Sequence, residues 1–230
     1  MAIHDMTSRL DLYRFIHKAL RACMSDALVS VGRMDPDDAA EVEQVLGKVR
    51  TLLNFCRGHL EHENHHVHPA LELREPGSSR RIALEHVAHM QEIDDLRSAV
   101  LAVERTTGKA RQHACARLYR ALALFVGENF VHMETEEAEH NAALWRTHSD
   151  DELLAIEHRI VGSLSPEEAE ISFRWMIPAL SPAERVAFLS AIKAAAPAPV
   201  FQGILAGIRP HLGDLDWRKL SGALLSPVAA

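Results

Sequence analysis

The sequence predicts an all-α protein in which four long helices pack up-down-up-down as a bundle and a helical extension follows. Aromatic residues make up only 5% of the 230 residues, and alternating β-branched segments bounded by strand turns are nearly absent. Apolar residues instead recur every three or four positions through residues 8–146, which is the spacing of helices that each bury one face. We expect residues 1–149 to form the bundle and residues 150–230 to form the extension.

The first two helices are predicted over residues 8–31 and from residue 37 to about residue 73. The inward positions of the first are Leu10, Tyr13, His17, Leu20, Met24 and Leu28. Those of the second are Val45, Val49, Leu52, Phe55, Cys56, His59, His62, Glu63 and His66. Because proline has no N–H and its ring clashes with the preceding turn, Pro69 is expected to kink or end the second helix. A turn follows over residues 75–79.

The third and fourth helices are predicted over residues 79–106 and 111–146, on either side of a break at Thr107 and Gly108. The inward positions of the third helix are Ile82, His86, His89, Ile93, Leu96 and Val100. Those of the fourth are Cys115, Leu118, Leu122, Phe125, Asn129, His132, Glu136 and Ala143. Each of the four predicted helices therefore buries at least one histidine.

The extension is predicted to contain shorter helices that begin near residues 165, 181 and 213. Ser165 and Ser181 are each followed directly by proline, with a glutamate within the next two residues, a pattern typical of a capped helix start. No further cluster of metal-ligand residues occurs there. We expect the extension to pack on the bundle or to mediate self-association of the chain into a homo-oligomer.

Composition argues against several classes of function. The formal net charge is −7 and basic residues are dispersed, which disfavours a nucleic-acid partner. Apolar runs are too short to span a membrane, and the N-terminal segment has no signal-peptide pattern, so we expect a cytoplasmic protein with no membrane partner. The three cysteines have no metal-site spacing and are interpreted as reduced core residues.

Histidine is the unusual residue of this chain. There are 15 histidines, and those at inward positions replace apolar residues on all four predicted helices. Burying an unpaired ionisable group costs several kcal/mol, so a histidine at this position on every helix indicates a shared task. His59 with Glu63, and His132 with Glu136, are spaced four residues apart, which puts both side chains of a pair on one helix face.

These positions suit a metal centre. The candidate ligands His17, His59, Glu63, His86, His132 and Glu136 combine four imidazoles with two carboxylates. Imidazole favours iron, zinc, copper or nickel, and carboxylates that bridge two ions are the usual way to hold two irons or two manganese ions inside a bundle. We expect two non-haem irons with a bridging oxo or hydroxo group, and zinc or manganese as weaker alternatives. A structural zinc site needs only four ligands.

The order and spacing of these residues resemble the hemerythrin-like, or HHE cation-binding, family. The matching elements are His17, the His59-x3-Glu63 pair followed by Pro69, His86, and the His132-x3-Glu136 pair, within residues 8–146. The resemblance implies a four-helix bundle around a diiron centre that binds dioxygen or related molecules. It also implies that Glu63 and Glu136 bridge the irons, with His17 and His59 on one iron and His86 and His132 on the other.

Two departures from the oxygen-carrying members bear on function. Those proteins have a His-x3-His pair on the third helix, whereas Met90 occupies the second position here and His89 lies one residue earlier. His89 is therefore a candidate seventh ligand or a hydrogen-bond partner of a ligand. The oxygen carriers also have their second carboxylate at i+5, so Glu137 is an alternative to Glu136, which we prefer because its spacing repeats that of the first pair.

The remaining polar side chains near the inward faces have simpler interpretations. His62 and His66 are interpreted as extra ligands, proton carriers or the mouth of the site, or as partly buried structural residues. His65 and His68 are expected to be solvated, and His140 to cap the end of the bundle. Tyr13 is expected to be a core tyrosine, with a hydrogen bond to a metal-bound oxygen species as the alternative.

Two functions are consistent with this sequence. The first is a protein that binds or senses dioxygen, nitric oxide, peroxide or iron. The second is a diiron oxidoreductase, for which the sequence identifies neither a catalytic residue nor a substrate pocket. Met90 in place of histidine favours sensing or redox chemistry over reversible oxygen carriage.

Overall fold

A computed structural model describes residues 9–225 of the chain. All regular structure in this range is helical and none of it is strand, so the all-α prediction is confirmed. No helix in the described range combines the length and the apolar character needed to cross a membrane.

The first part of the chain forms six α-helices and two short π-helical turns. The elements up to residue 74 are α1 (Arg14–Arg33), α2 (Ala39–His62), a first π turn (Glu63–Val67) and α3 (His68–Arg74). The elements that follow are α4 (Arg80–Glu104), α5 (Gly108–Thr135), a second π turn (Glu136–His140) and α6 (Asn141–Thr147). The predicted turn before α4 is present, and Gly77 adopts a φ of 90° there, a conformation that favours glycine.

Helix α1 begins later than predicted. It was expected from residue 8, which lies outside the described residues, but residues 9–13 are not helical and the helix starts at Arg14. The Asp11 carboxylate accepts hydrogen bonds from the backbone N–H groups of Tyr13 and Arg14. Because the Asp11 side chain satisfies these two N–H groups, they do not bond to carbonyls of a preceding helical turn, and the helix begins only after Tyr13.

The predicted second and fourth helices are helical throughout residues 39–74 and 108–147, but each contains a π turn that was not predicted. In each turn the hydrogen bond spans five residues: the N–H of His68 donates to the carbonyl of Glu63, and that of Asn141 to Glu136. Pro69 lies in the first turn of α3, so the π turn of residues 63–67 comes before the proline. Since Pro69 cannot donate to the carbonyl four residues earlier, a wider turn just before it accommodates the proline.

Within residues 150–225 the extension forms five α-helices: α7 (Asp150–Ser163), α8 (Pro166–Ala179), α9 (Pro182–Ala195), α10 (Ala198–Ile208) and α11 (Asp214–Leu225). The predicted starts of α8 and α9 are confirmed. Ser165 and Ser181 cap them, each exchanging hydrogen bonds with the glutamate three residues later. Helices α7 and α10 were not predicted, although Ser149 and Glu152 form the same reciprocal cap on α7.

Contacts among the four longest helices form a closed ring. Helix α1 packs against α2 and α5, and α4 packs against α2 and α5. Buried apolar side chains of all four helices make one core, which also receives Ile171, Trp175 and Met176 from α8. A second cluster joins α3, α6 and α7 through Leu71, Leu144 and Leu153, and a third lies within α8 to α11.

Candidate metal centre

Six side chains from the four longest helices and the π turns converge in the interior. His17, His59, His86 and His132 come from α1, α2, α4 and α5, while Glu63 and Glu136 begin the two π turns. Glu136 and His17 are fully buried, and Glu63 is 4% exposed. The apolar stripes predict this burial, because the histidines and glutamates continue the inward faces of their helices.

One half of the convergence is made by His17, His59, Glu63 and Glu136. Nε2 of His59 lies 3.2 Å from Oε1 of Glu63. Nε2 of His17 lies 3.9 Å from the same oxygen and 3.4 Å from Oε2 of Glu136. Ligands about 2.1 Å from a shared ion are separated by roughly 3 to 4 Å, so these four residues could hold one cation.

The other half is made by His86 and His132 with the same two glutamates. Nε2 of His86 lies 3.5 Å from Oε2 of Glu63, 3.4 Å from Oε1 of Glu136 and 3.1 Å from Nε2 of His132. Nε2 of His132 lies 3.3 Å from Oε1 of Glu136. These atoms could hold a second cation.

The two glutamates belong to both halves, and each divides its two oxygens between them. Oε1 of Glu63 faces His17 and His59, whereas its Oε2 faces His86. Oε2 of Glu136 faces His17, whereas its Oε1 faces His86 and His132. This is the arrangement in which a carboxylate can bridge two ions.

Three of the histidines are held by their outer nitrogens. Nδ1 of His17 donates to Oε1 of Glu137 at 2.9 Å, and Arg21 donates to the same oxygen at 2.6 Å. Nδ1 of His132 lies 2.8 Å from Oε2 of Glu85, and Nδ1 of His86 lies 2.8 Å from Oδ1 of Asn64. A partner on the outer nitrogen orients the ring and directs Nε2 at the centre, as is usual for histidines that bind metals.

The electrostatics of the candidate centre are dominated by the two neighbouring carboxylates. Burial lowers the pKa of His17 and His132, but the carboxylates outweigh burial and raise these pKa values to about 10 and about 9. Burial raises the pKa of Glu136, but the neighbouring imidazoles of His132, His17 and His86 hold it well below its ordinary value. The two carboxylates thus favour the protonated forms of His17 and His132.

The pKa values of Glu63 and His59 shift in the directions opposite to those of Glu136 and His17. Burial and the charge of Glu136 raise the pKa of Glu63, while burial and the charge of His17 lower the pKa of His59 well below its ordinary value. Nε2 of His17, Nε2 of His59, both oxygens of Glu63 and Oε2 of Glu136 are buried without a hydrogen-bond partner. Buried polar atoms are rarely left unpaired, so this donor set fits a group of positive ions.

His89, the candidate seventh ligand, lies beside the centre but outside both halves. Its ring centroid is 4.7 Å from that of His132 and 6.2 Å from that of Phe125. Burial, with the charges of His132 and His86, lowers the pKa of His89 to about 4. Its Nδ1 is buried without a partner, and none of the convergent groups found among residues 9–225 contains it.

A third convergent group joins Glu136 to His68 and His140. The expectation that His68 is solvated is wrong: it is 6% exposed, and its ring stacks on that of His86 with centroids 4.8 Å apart. His68 follows Glu63 by five residues, a spacing that would place the two side chains roughly 140° apart around the axis of an α-helix. A π turn has more residues per turn, so His68 lies closer to the helix face of Glu63.

His140 also lies deeper than a residue that caps the bundle end. It is 1% exposed, its Nδ1 is 3.0 Å from the Tyr13 hydroxyl, and its Nε2 has no partner. Tyr13 is buried, as expected of a core tyrosine. His68, His140 and Glu136 could together hold a cation beside the other two positions.

The remaining histidines of the second helix face away from the centre. His65 is exposed, as predicted. His62 lies 3.3 Å from Glu168 of α8, and the Ser163 hydroxyl lies within hydrogen-bond distance of both His62 and His66. Glu137, the alternative bridge, is 31% exposed at its side chain and contacts the outer nitrogen of His17 instead of joining a convergent group.

Sequence reasoning missed the residues behind the ligands. Glu85 and Asn64 each lie next to a predicted ligand in the sequence, and Glu137 was considered only as a bridge. A residue adjacent to a ligand normally points to another side of its own helix, where it reaches a neighbouring helix. Such a contact depends on how helices pack, and no spacing rule within one helix reveals it.

Comparisons with protein-family profiles, curated proteins and solved structures find no match to this chain.

Proposed function

We propose that this chain is a hemerythrin-like protein that holds two non-haem irons and binds or senses dioxygen or a related small molecule such as nitric oxide or peroxide, or iron itself. One observation carries the proposal: Glu63 and Glu136 each present one oxygen to the His17 and His59 half and the other to the His86 and His132 half. A mononuclear site has no use for two carboxylates divided in this way.

The fold supports the same proposal. The closed ring of contacts among α1, α2, α4 and α5, joined by short connections, is consistent with an up-down-up-down bundle of the hemerythrin-like kind. In such a bundle, facing helices each contribute ligands to a centre between them. Here all four helices contribute a histidine.

The residues of this chain prepare the centre in two ways. Glu137, Glu85 and Asn64 fix the orientation of His17, His132 and His86 through their outer nitrogens. The carboxylates of Glu63 and Glu136 are buried and would offset part of the charge of the ions. When bound, two irons supply open coordination positions and a change of oxidation state to a small oxygen-containing or nitrogen-containing ligand.

The choice of iron rests on the donor set. Four imidazoles and two carboxylates suit ions of borderline hardness, and a structural zinc ion requires only four ligands. Manganese and zinc are the weaker alternatives. The three described cysteines are free, and none belongs to a convergent group, so thiolate ligands do not bias the centre towards zinc.

A diiron oxidoreductase is the second candidate, and one observation favours it. A cavity of about 1040 Å³ includes His59 and Glu63 among its lining residues. An oxidoreductase that acts on an organic substrate needs such a space beside its metal, whereas a sensor of diatomic molecules does not. Dioxygen and peroxide serve as reactants in this second function.

Metal analysis tests the proposal at its ligands. We expect wild-type protein reconstituted with ferrous iron to retain about two irons per chain, and His59→Ala and Glu63→Ala to retain less than half of that amount. His65→Ala is the matched control, since His65 lies on the same helical segment but is exposed. Measurement is by elemental analysis after gel filtration. A wild type that holds one tetrahedral zinc, or variants that keep full iron, would refute the diiron centre.

Optical spectra then separate the two candidate functions. The reduced iron-loaded protein is mixed with dioxygen, nitric oxide and peroxide in turn. A stable, reversible absorption change supports binding or sensing, whereas continued consumption of peroxide over many turnovers supports an oxidoreductase.

A further inference from the structure

The cavity of about 1040 Å³ lies where the extension covers the long helices. Its walls come from α1 and α2 on one side and from α7, α8 and α9 on the other. Small-molecule sites in proteins are usually clefts of about 300 to 1000 Å³. The space is therefore large enough for an organic molecule and much larger than a diatomic ligand requires.

Apolar side chains dominate the lining. Phe15 and Ile16 of α1, Phe55 of α2, and Phe173, Met176 and Phe188 of α8 and α9 all contribute to it. Leu154 and Val161 of α7 also face this space, and they are 38% and 59% exposed. Apolar side chains left accessible in one concave region mark a place where an apolar partner can be buried.

This cavity reaches the centre from one side. His59, Glu63 and Tyr13 line it, whereas His86 and His132 do not. A molecule inside the cavity therefore contacts the His17 and His59 half of the centre, at the edge where Nε2 of His59 lies 3.2 Å from Glu63.

The charged groups of the lining are mainly acidic. Besides Glu63, the carboxylates are those of Asp11, Glu61, Glu157, Glu167 and Glu168, and the one arginine is Arg57. Arg57 is already paired with Asp94 at 2.5 Å. Burial raises the pKa of Glu157, in keeping with apolar surroundings. An anionic head group would face repulsion here, whereas an uncharged or cationic one would not.

We infer that the cavity binds an aliphatic molecule with an uncharged or cationic polar end, whose apolar body is buried among α1, α2, α7, α8 and α9 next to His59 and Glu63. A molecule bound in the cavity would lie next to the proposed metal centre. Its part in the chemistry of that centre rests on the proposed function. Binding itself depends on the cavity and not on a bound metal.

Three probes of equal chain length test the inference: 1-decanol, decylamine and decanoate, titrated calorimetrically into the full-length protein without metal. We expect decanol and decylamine to bind with one molecule per chain, and decanoate to bind at least tenfold more weakly. Absence of binding by all three probes would overturn the inference. Equal binding of decanoate would overturn the part that concerns charge.

Substitutions locate the bound molecule. Ala191→Phe narrows the cavity from α9, and Ala187→Phe is its matched control, because Ala187 is equally an exposed alanine of α9 but does not line the cavity. We expect Ala191→Phe to weaken decylamine binding at least tenfold and Ala187→Phe to change it less than twofold. Ser172→Phe narrows the cavity independently from α8. Thermal unfolding followed by circular dichroism checks that each variant folds.

The two proposals fail in different ways. His86 belongs to the metal centre but does not line the cavity, so His86→Ala should lose metal and still bind decylamine as wild type does. If wild type holds two irons but binds no probe, the cavity inference is wrong and the metal centre stands. If the probes bind equally well to Ala191→Phe, Ser172→Phe and wild type, the molecule lies elsewhere.

Discussion

Tyr13 and His140 form a buried polar pair beside the candidate metal centre. The Tyr13 hydroxyl lies 3.0 Å from Nδ1 of His140, and both side chains are 1% exposed. Burial, followed by the charges of Glu136 and Glu63, raises the pKa of Tyr13 well above its ordinary value, so the phenol remains neutral. The pair therefore consists of two neutral groups, each of which depends on the other for a hydrogen bond.

Removal of the Tyr13 hydroxyl should destabilise the protein. Tyr13→Phe leaves Nδ1 of His140 without this partner in a dry environment, which costs about 1 to 3 kcal/mol. The change is measured by urea denaturation of the metal-free protein. Tyr119→Phe is the control, since that side chain is 42% exposed and its loss should change stability by less than about 0.5 kcal/mol. Equal effects of the two substitutions would mean that the buried pair contributes nothing.

At the scale of single residues, periodicity predicted burial well where a helix is regular. His17, His86 and His132 continue apolar stripes, and all three are buried. His68 was misplaced because its position depends on a π turn, and nothing in residues 63–67 distinguishes that turn from an α-helical one. The partners of the outer nitrogens, such as Glu85, come from contacts between helices, which one sequence does not specify.

At the scale of elements, Gly58 of α2 lets α8 approach closely. A Cβ added at Gly58 would lie 2.9 Å from Oε1 of Glu168. Glu168 has little freedom to move, since its other oxygen accepts from the backbone N–H of Ser165 at 2.8 Å and His62 lies 3.3 Å from Oε1. The missing side chain at residue 58 thus allows the capped start of α8 to lie on α2.

Two glycine substitutions in α2 should therefore have different effects. Nothing lies within 4 Å of a Cβ added at Gly47, so Gly47→Ala should raise the free energy of unfolding by about 0.5 to 1 kcal/mol through helix propensity alone. Gly58→Ala should lose that gain, because Glu168 must give up a hydrogen bond to make room. Denaturation by urea measures both variants. An equal gain in stability would show that α8 does not rest on Gly58.

Helix starts were predictable where a cap is encoded locally. Ser165 and Ser181, each with a proline next and a glutamate three residues later, predicted the approximate starts of α8 and α9, and both caps are present. Asp11 could not be recognised as the residue that sets the start of α1, since the apolar stripe extends in front of it through Leu10. Packing of residues 9–13 against α6, seen in the bond from Trp145 to the carbonyl of Leu10, overrides that periodicity.

At the scale of the whole molecule, one carboxylate ties the extension to the long helices. Glu184 of α9 accepts from Nζ of Lys18 at 2.6 Å and is paired with Arg14 at 2.5 Å, so it joins α9 to α1. Its side chain is 10% exposed. Burial raises the pKa of Glu184, but Lys18 and the backbone of Ser181 outweigh burial and lower it to about 2 from an ordinary value of 4.5.

This contact should be sensitive to acid. Because the pKa of Glu184 is lower in the folded state, its contribution to stability is complete above pH 4.5 and is lost as the pH falls towards 2. Glu184→Gln keeps a capping side chain but removes the charge. We expect it to cost about 1 kcal/mol at pH 7, since Lys18 and Arg14 are partly exposed, and almost nothing near pH 2. A difference between variant and wild type that is unchanged across this range would contradict the role of the charge.

The two π turns have a consequence for how the molecule is built. Residues 14–74 and 80–147 form two segments with the same order of elements: two long helices, a π turn and a short helix. The offset is 73 positions between His59 and His132, between Glu63 and Glu136, and between the ends of α3 and α6. Asn64 and Glu137 are equivalent by this offset, and each accepts a hydrogen bond from a histidine of the other segment. Each convergent cation position takes ligands from both of these segments. An ion in any of these positions would bind side chains of both segments. Metal binding and the packing of the two segments against each other would then be thermodynamically coupled.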